Sequence, residues 1–544
     1  MKELIHNNLY KGSKFMPIWN PFWTDEVKIE NGGRYPLLLN RFHDHMEDYL
    51  IKGIVSTTDR LRYISYCCWA IGDIEKTLNC EKYYEFEEAF RRRESALAVG
   101  FYLLQPKTVV GNYTIYGSDG MKSKVDHKDK PFDCSFRILP SQPLGAFGQY
   151  YKGTMQNWGL IFVDEEGVIR LTSLGKKLYK IMDRIYSNSE YCLTYKGNKS
   201  VPGKVLKQWA KVNEYDNITD SAHKAERDFY KNVLFHSDKK EVSFRRDSLT
   251  IYIECIMECN KRQVNFNEDM LRNTLYYRRV KFNHKITPLK LSAFLDDAIF
   301  YWSLYEMHVY FRWWISEYFR FFLIKLRNSD GLTLNEVITD ISTDIFNEKT
   351  NEILNMDINY YSLPFGELLS HISDINSPDE MFLEDDLTNI EVDNMSHFTS
   401  YLLIMLGLLY DKYKELKEDE RYFDVKSSLI DDYWFDEFFR EIDSIKIYSI
   451  PEVLKYLLNR YVIQKHDMAM YAKNDLRRCW FTKSNEKYQF QADSRSIWRP
   501  AKHRIICHFL FDMNVIMINN ESIELTPEGI ALYQQLKETI YYEA

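Results

Sequence analysis

The sequence predicts a mainly α-helical protein whose small β content lies mainly in two strand–turn–strand–helix units and a ribbon near 109–133. Three observations lead there. Twelve residues recur, "VIRLTSLGKKLY" from Val168 and "SIELTPEGIALY" from Ser522, sharing Leu-Thr, a glycine three residues later and a closing Leu-Tyr. Between the copies, over about 240–445, apolar residues recur at helical spacing. Hydrophobic residues make up 45% and aromatics 15% of 544 residues, with only 14 Pro and 21 Gly. A large core is therefore available, and long structureless linkers are not indicated.

Residues 1–30, with "FMPIWNPFW", read as an irregular aromatic segment that docks. Leu39, Phe42, Met46, Tyr49 and Leu50 lie on one face of a first helix, which Gly53 breaks. Ser56, Thr57 or Thr58 can cap a second helix, whose apolar face is Leu61, Ile64, Cys68 and Ile71. "FEEAFRRRESALAVGFYLL" makes a third. Residues 109–133 read as a Gly-, Lys- and Asp-rich loop or ribbon. In each repeat an apolar run precedes a polar turn, Glu166-Gly167 or Asn519-Asn520, and a second strand follows. Thr172 and Thr526 then cap a helix, and Pro527 takes the first helical position, where a missing N–H is harmless. Phe300–Phe322 holds twelve aromatics but also Glu306, Arg312, Glu317 and Arg320, so it predicts a buried central helix rather than a membrane span. "SDINSPDEMFLEDDLTNIEVDN" is an acidic loop. A last helical stretch from Ile450 leads into the second unit. The expected organisation is an N-terminal helical region (1–133), a first hairpin unit (134–186), a central helical domain (187–449) and a C-terminal unit (450–544).

The strand–turn–strand–helix frame resembles the trailing half of a winged-helix domain, so the fold expected is multi-helical with two winged-helix-like units. The net charge of −8 gives no global field that draws nucleic acid. Any such binding must be local. Between Arg460 and Arg504 there are eleven Lys/Arg and four Asp/Glu. The helix from about Pro500 to Met513 hides Ile505, Ile506, Phe509 and Met513, leaving cations at its N-terminal end. In a helix-turn-helix that end enters the major groove or grips phosphate. Arg477, Arg478, Arg495, Arg499, Lys502, His503 and Arg504 are the candidate duplex-binding residues, with the Asn519-Asn520 wing beside the neighbouring groove. A docking surface for an acidic protein is the competing reading. The first unit, with "GAFGQYYKGTMQNW" before its hairpin, carries only Lys152 as a cation there and reads as packing.

"RFHDHMEDYL" brings His43, Asp44, His45, Glu47 and Asp48 together, but the histidines are two apart and fall on different faces, unlike a zinc-protease helix. A solvated face beside an apolar one is the plainer reading. Arg91, Arg92 and Arg93 can pair with Glu87 and Glu88 one turn back. Nine scattered cysteines without a paired CxxC read as reduced thiols. No GxxxxGK[ST], GxGxxG or GxSxG occurs, so no cofactor and no catalytic residue is predicted. The N-terminus has no apolar signal core, and a cytoplasmic protein without membrane contact is expected.

Across most of its length the chain resembles a diffuse family of large helical bacterial proteins from anti-phage defence gene clusters. The matching pieces include "YPLLLNRFHDHMEDYLIKGIVSTTDRLRYISYCCWAIGDI", "RRRESALAVG", "GQYYKGTMQNWGLIFVDEEGVIRLTSLGKKL" and "YVIQKHDMAMYAKN". The resemblance implies a component acting beside ATPase, helicase or nuclease subunits. The function expected is a non-catalytic DNA-binding or scaffold subunit that holds double-stranded DNA. A nuclease with a dispersed metal site and a pure interaction subunit, for instance of an SMC-type ATPase, are the alternatives.

Overall fold

The computed structural model describes residues 37, 39–111, 121, 131–236, 243–282, 285–289, 291–339, 341–373, 395–425, 434–473, 479–494, 502–519 and 522–543. Among the described residues the chain is mainly helical, 69% helix, with small two-stranded antiparallel sheets. The aromatic N-terminal segment, most of the 109–133 ribbon and the acidic loop lie outside the described residues. Among those that are described, no helix is long and apolar enough to cross a membrane.

Helix α1 (Asn40–Leu50) ends before Gly53, whose φ of +77° turns the chain. Helix α2 (Leu61–Thr77) follows, and every residue from Leu61 to Ile74 is buried. None of Ser56, Thr57 and Thr58 caps it. The Leu61 N–H is instead accepted by the Asp512 carboxylate, 2.8 Å away, from the far end of the chain. Thr58 turns elsewhere and donates to the Tyr150 carbonyl at 3.0 Å. Helix α3 (Tyr83–Leu104) carries Arg91 and Arg92 paired one turn back with Glu87 and Glu88, while Arg93 is buried against Asp73 at 2.6 Å.

The repeated twelve residues form the same structure twice. In the first unit a short helix, α4 (Lys152–Asn157), leads into strands β1 (Ile161–Val163) and β2 (Ile169–Leu171) and then helix α5 (Ser173–Tyr186). Helices α6 (Gly203–Val212), α7 (Lys224–Phe235), α8 (Ser243–Lys261) and α9 (Glu268–Tyr277) come next. The aromatic stretch is the long helix α10 (Asp296–Arg327), buried from Ala298 to Phe319, and Met395–Lys417 is helix α11. Helix α12 (Ile450–Leu457) opens on a capping box formed by Ser449 and Glu452. A hairpin follows, β3 (Phe481–Ser484) with β4 (Lys487–Phe490). The second unit is helix α13 (His503–Asp512), strands β5 (Ile516–Asn519) and β6 (Ser522–Leu525), and helix α14 (Pro527–Glu543).

The local chemistry of the two units corresponds atom for atom. Gly159 and Asn514, at φ +68° and +56°, take the left-handed turn out of the first helix. The Thr172 N–H bonds to the Leu160 carbonyl and that of Thr526 to the Val515 carbonyl, each at 3.0 Å. The threonine hydroxyls accept from Gly175 N–H at 3.1 Å and from Gly529 N–H at 3.0 Å, the N-cap the sequence predicts. A side chain from a backing helix also reaches each second strand. Glu75 of α2 accepts from Leu171 N–H at 2.7 Å, and Asn260 of α8 accepts from Leu525 N–H at 3.1 Å.

The backing of the second unit comes from elsewhere in the chain. The stretch from Ile450 does not lie behind its hairpin. It packs on α10, where Tyr318 donates to the Leu454 carbonyl at 2.5 Å and Phe322 meets Phe481 and Tyr488 at ring distances of 5.2 and 5.6 Å. The aromatic density of α10 draws its neighbours from across the chain, and α8 is left to support β5–β6. One hydrophobic core runs from Leu37 to Leu536 through both units.

Candidate nucleic-acid interface

The candidate cations start at the N-terminus of α13. Arg477, Arg478, Arg495 and Arg499 lie outside the described residues, as does Asn520 of the wing. Three can be placed. Lys502 points inward and pairs with Glu47 of α1 at 2.6 Å, its side chain 10% exposed. His503 stacks on Tyr252 at a ring distance of 5.7 Å and lies 5.4 Å from Phe266. Burial pushes its pKa down to about 4, with the nearby His508 adding to the effect. It is therefore neutral near pH 7 and adds no charge against phosphate. Arg504 is the outward one, 60% exposed, with Asp59 at 3.5 Å.

The carboxylates behind these cations belong to the chain itself. Glu47 sits 3.2 Å from His43 and accepts from Tyr305 of α10 at 3.1 Å. Burial would raise its pKa, but hydrogen bonding with His43 and the charge of Lys502 overcome that and hold it well below the ordinary carboxylate range. The "RFHDHMEDYL" helix is thus not a solvated face throughout. His43 and Glu47 are buried against α10, while Asp44, His45 and Asp48 remain exposed. Lys502 is the distant partner of the pair. Among the described residues no group of three or more His, Cys, Asp or Glu is arranged to hold a metal.

One turn further along α13, His508 bonds to Asp59 at 2.9 Å. At its end the Asp512 carboxylate takes Arg60 through Nε at 3.0 Å and Nη2 at 2.7 Å. Arg60 also reaches Asp216 at 2.8 Å and the Val110 carbonyl at 2.7 Å. Burial would lower the Arg60 pKa; its pairing with Asp512 raises it, so the guanidinium stays charged. The short helix α4 of the first unit faces the same segment. Thr154 shares a hydrogen bond with Thr58 at 3.0 Å, and Trp158 meets Phe509 of α13 edge-on at 5.8 Å. The segment around Thr58–Arg60 is therefore gripped by the leading helices of both units, which also touch each other.

No sequence signal pointed to Asp59, Asp512 or Glu47 as partners of the C-terminal cations, because the contacts span most of the chain. A second basic segment is present in the sequence. Residues 173–211 carry nine Lys/Arg against two Asp/Glu, the same surplus as 460–504. Comparison with protein-family models, curated proteins and solved structures finds no match to this chain.

Proposed function

We propose that this chain is a non-catalytic scaffold subunit of a bacterial defence assembly, built on two winged-helix units turned inward. The observation that carries this reading is the contact of Trp158, the residue that closes α4, with Phe509 of α13, and the Thr58–Arg60 segment held by both helices. In a DNA-reading winged helix, the helix before the hairpin enters the groove. Here that helix in each unit faces its counterpart. The units then act as rigid cross-members of a helical body whose outer surface is open to partner subunits. The resemblance to defence-cluster proteins supplies the class of partner, an ATPase, helicase or nuclease.

Two measurements test this. Purified protein incubated with supercoiled plasmid and Mg²⁺ or Mn²⁺ should leave it intact, and should co-elute in size exclusion with a subunit encoded beside it. Cleavage that disappears in His43→Ala would replace the scaffold with a nuclease, and separate elution from every neighbour would remove the assembly role. A second reading keeps a duplex contact at the C-terminal cations, favoured by the outward position of Arg504. On that reading Arg504→Glu weakens duplex binding.

A further inference from the structure

We propose that the outer face of α5, together with that of α6, is a docking surface for double-stranded DNA, gripped by its phosphates without reading sequence. This goes beyond the scaffold role and does not depend on it. Lys176, Lys177, Lys180 and Arg184 on α5 are all exposed. Three of them, Lys176, Lys180 and Arg184, follow each other four residues apart, so they form one stripe. The opposite face of α5 buries Gly175, Leu178, Met182 and Tyr186. On α6, Lys204, Lys207 and Lys211 repeat the pattern, exposed at helical spacing over buried Leu206, Trp209 and Ala210. Of the two carboxylates in 173–211, Asp183 lies 3.6 Å from Lys76, and Glu190 is exposed beyond the end of α5, four residues past Tyr186.

Both helices are fixed to one aromatic cluster. Tyr186 of α5 meets Trp209 of α6 at 4.9 Å and donates to Asn213 at 2.5 Å, and Trp69 of α2 lies against both rings. The cations are therefore carried on rigid supports. The α5 stripe spans roughly 12 Å at about 1.5 Å per residue. Along one strand phosphates recur about every 3.4 Å of axis, so the α5 stripe spans about three to four of them.

The chemistry favours a duplex over other polyanions. A membrane-surface helix places aromatic or aliphatic side chains beside its cations. The exposed positions of α5 are Ser173, lysine and arginine only. No amide side chain is exposed on α5, and Gln208 is the one exposed among the α6 lysines, so cations outnumber amides and phosphate contact dominates what the surface offers. The second unit supplies an internal control. At the α14 positions matching the α5 cations stand Ile530, Ala531, Gln534 and Glu538. The same backbone folds there without the charge, so the charge on α5 is not required by the architecture.

The test is fluorescence anisotropy of the full-length protein with a short duplex of random sequence. Wild type should bind at low salt, with log K falling linearly against log salt by about 0.9 per phosphate neutralised. The triple variant Lys176→Glu, Lys180→Glu, Arg184→Glu should bind about tenfold or more weakly and with a flatter salt slope. Lys204→Glu with Lys207→Glu should act in the same direction from the second helix. These side chains are exposed, so both variants should keep the wild-type unfolding curve. No wild-type binding at low salt, full binding by the triple variant, or preference of wild type for polyglutamate or phosphatidylserine vesicles over the duplex would each overturn the proposal.

Discussion

In the first unit the hairpin is backed by α2, and the whole unit is nearly continuous in sequence. In the second, the backing comes from α8, and the rest of the unit arrives only after α10, α11 and α12 have been built between. The details are nonetheless shared: the Thr N-caps, the glycines beneath them, the left-handed turns and the side chain reaching the second strand. What differs is how each unit is held and what it shows to solvent. The leading helix of the first is tied to the Thr58–Arg60 segment by neutral hydroxyls, that of the second by buried charges. The closing helix of the first is basic outside, that of the second is not. Backbone chemistry has thus been kept twice while charge has been distributed for two purposes, internal clamping at α13 and an external surface at α5.

The sharpest way to break this comparison is at the clamp. Asp512 is fully buried, and its carboxylate satisfies both Arg60 and the first N–H of α2. Asp512→Ala leaves Arg60 with Asp216 and a carbonyl and leaves the Leu61 N–H without its acceptor. Removing one partner of a buried pair costs about 3–5 kcal/mol. Thr154→Val in the first unit removes one neutral hydrogen bond and should cost about 1 kcal/mol. Urea unfolding of the two variants measures the contrast, and equal losses would show that the units are held alike.

A pH effect comes next, and it belongs to the first unit. Glu94 of α3 is buried and accepts from Tyr63 O–H at 2.5 Å and from Phe147 N–H at 3.0 Å, just before α4. Burial pushes its pKa up to about 7 from 4.5, with those hydrogen bonds opposing the rise. Between these values the folded chain holds a proton that the unfolded chain releases. Stability from this group is therefore complete below the unfolded pKa and is lost as pH climbs through the folded one. At about 1.4 kcal/mol per unit, the loss is roughly 3 kcal/mol by neutral pH. Glu94→Gln should flatten the stability profile between about pH 4.5 and pH 7 relative to wild type. An unchanged difference between the two proteins across that window would mean that Glu94 does not hold its proton in the fold. Glu306 on α10 is also pushed up to about 7 by burial, opposed by the Arg272 charge, so part of the slope remains in the variant.

Much of the fold was legible in the sequence, and for local reasons. Helical periodicity located α10 and α11, and the Leu-Thr-x-x-Gly frame located both hairpins with their capped helices. The pairing of Arg91 and Arg92 with Glu87 and Glu88 followed from spacing alone. The failures were failures of distance. Thr58 was a reasonable cap for α2, but a carboxylate near residue 512 took that place. That α8 stands behind the second hairpin is likewise a contact between distant parts of the chain, which no local pattern shows. Lys502 and His503 matched the exposed end of a recognition helix, and only tertiary packing shows that Glu47 and Tyr252 meet them. The α5 cations are legible by simple counting, because nine Lys/Arg stand against two Asp/Glu over 173–211.

The smallest effect tests whether the repeat is a shared design down to single atoms. A methyl group added at Gly175 would overlap the Leu160 carbonyl oxygen, and one at Gly529 would overlap the Val515 carbonyl oxygen. Each oxygen already accepts the N–H of the capping threonine. Neither can move without opening the junction between hairpin and closing helix. Gly175→Ala and Gly529→Ala should each cost about 1–3 kcal/mol, the usual range for forcing atoms into a filled site. Thermal unfolding should give similar losses for the two, because the backbone geometry is the same. Their effects on duplex binding should differ. A displaced α5 carries its lysines with it, so Gly175→Ala should weaken binding, whereas a displaced α14 presents no comparable cations and Gly529→Ala should not. Unequal stability losses would show that the correspondence is only one of sequence, and equal binding losses would place the DNA surface away from α5.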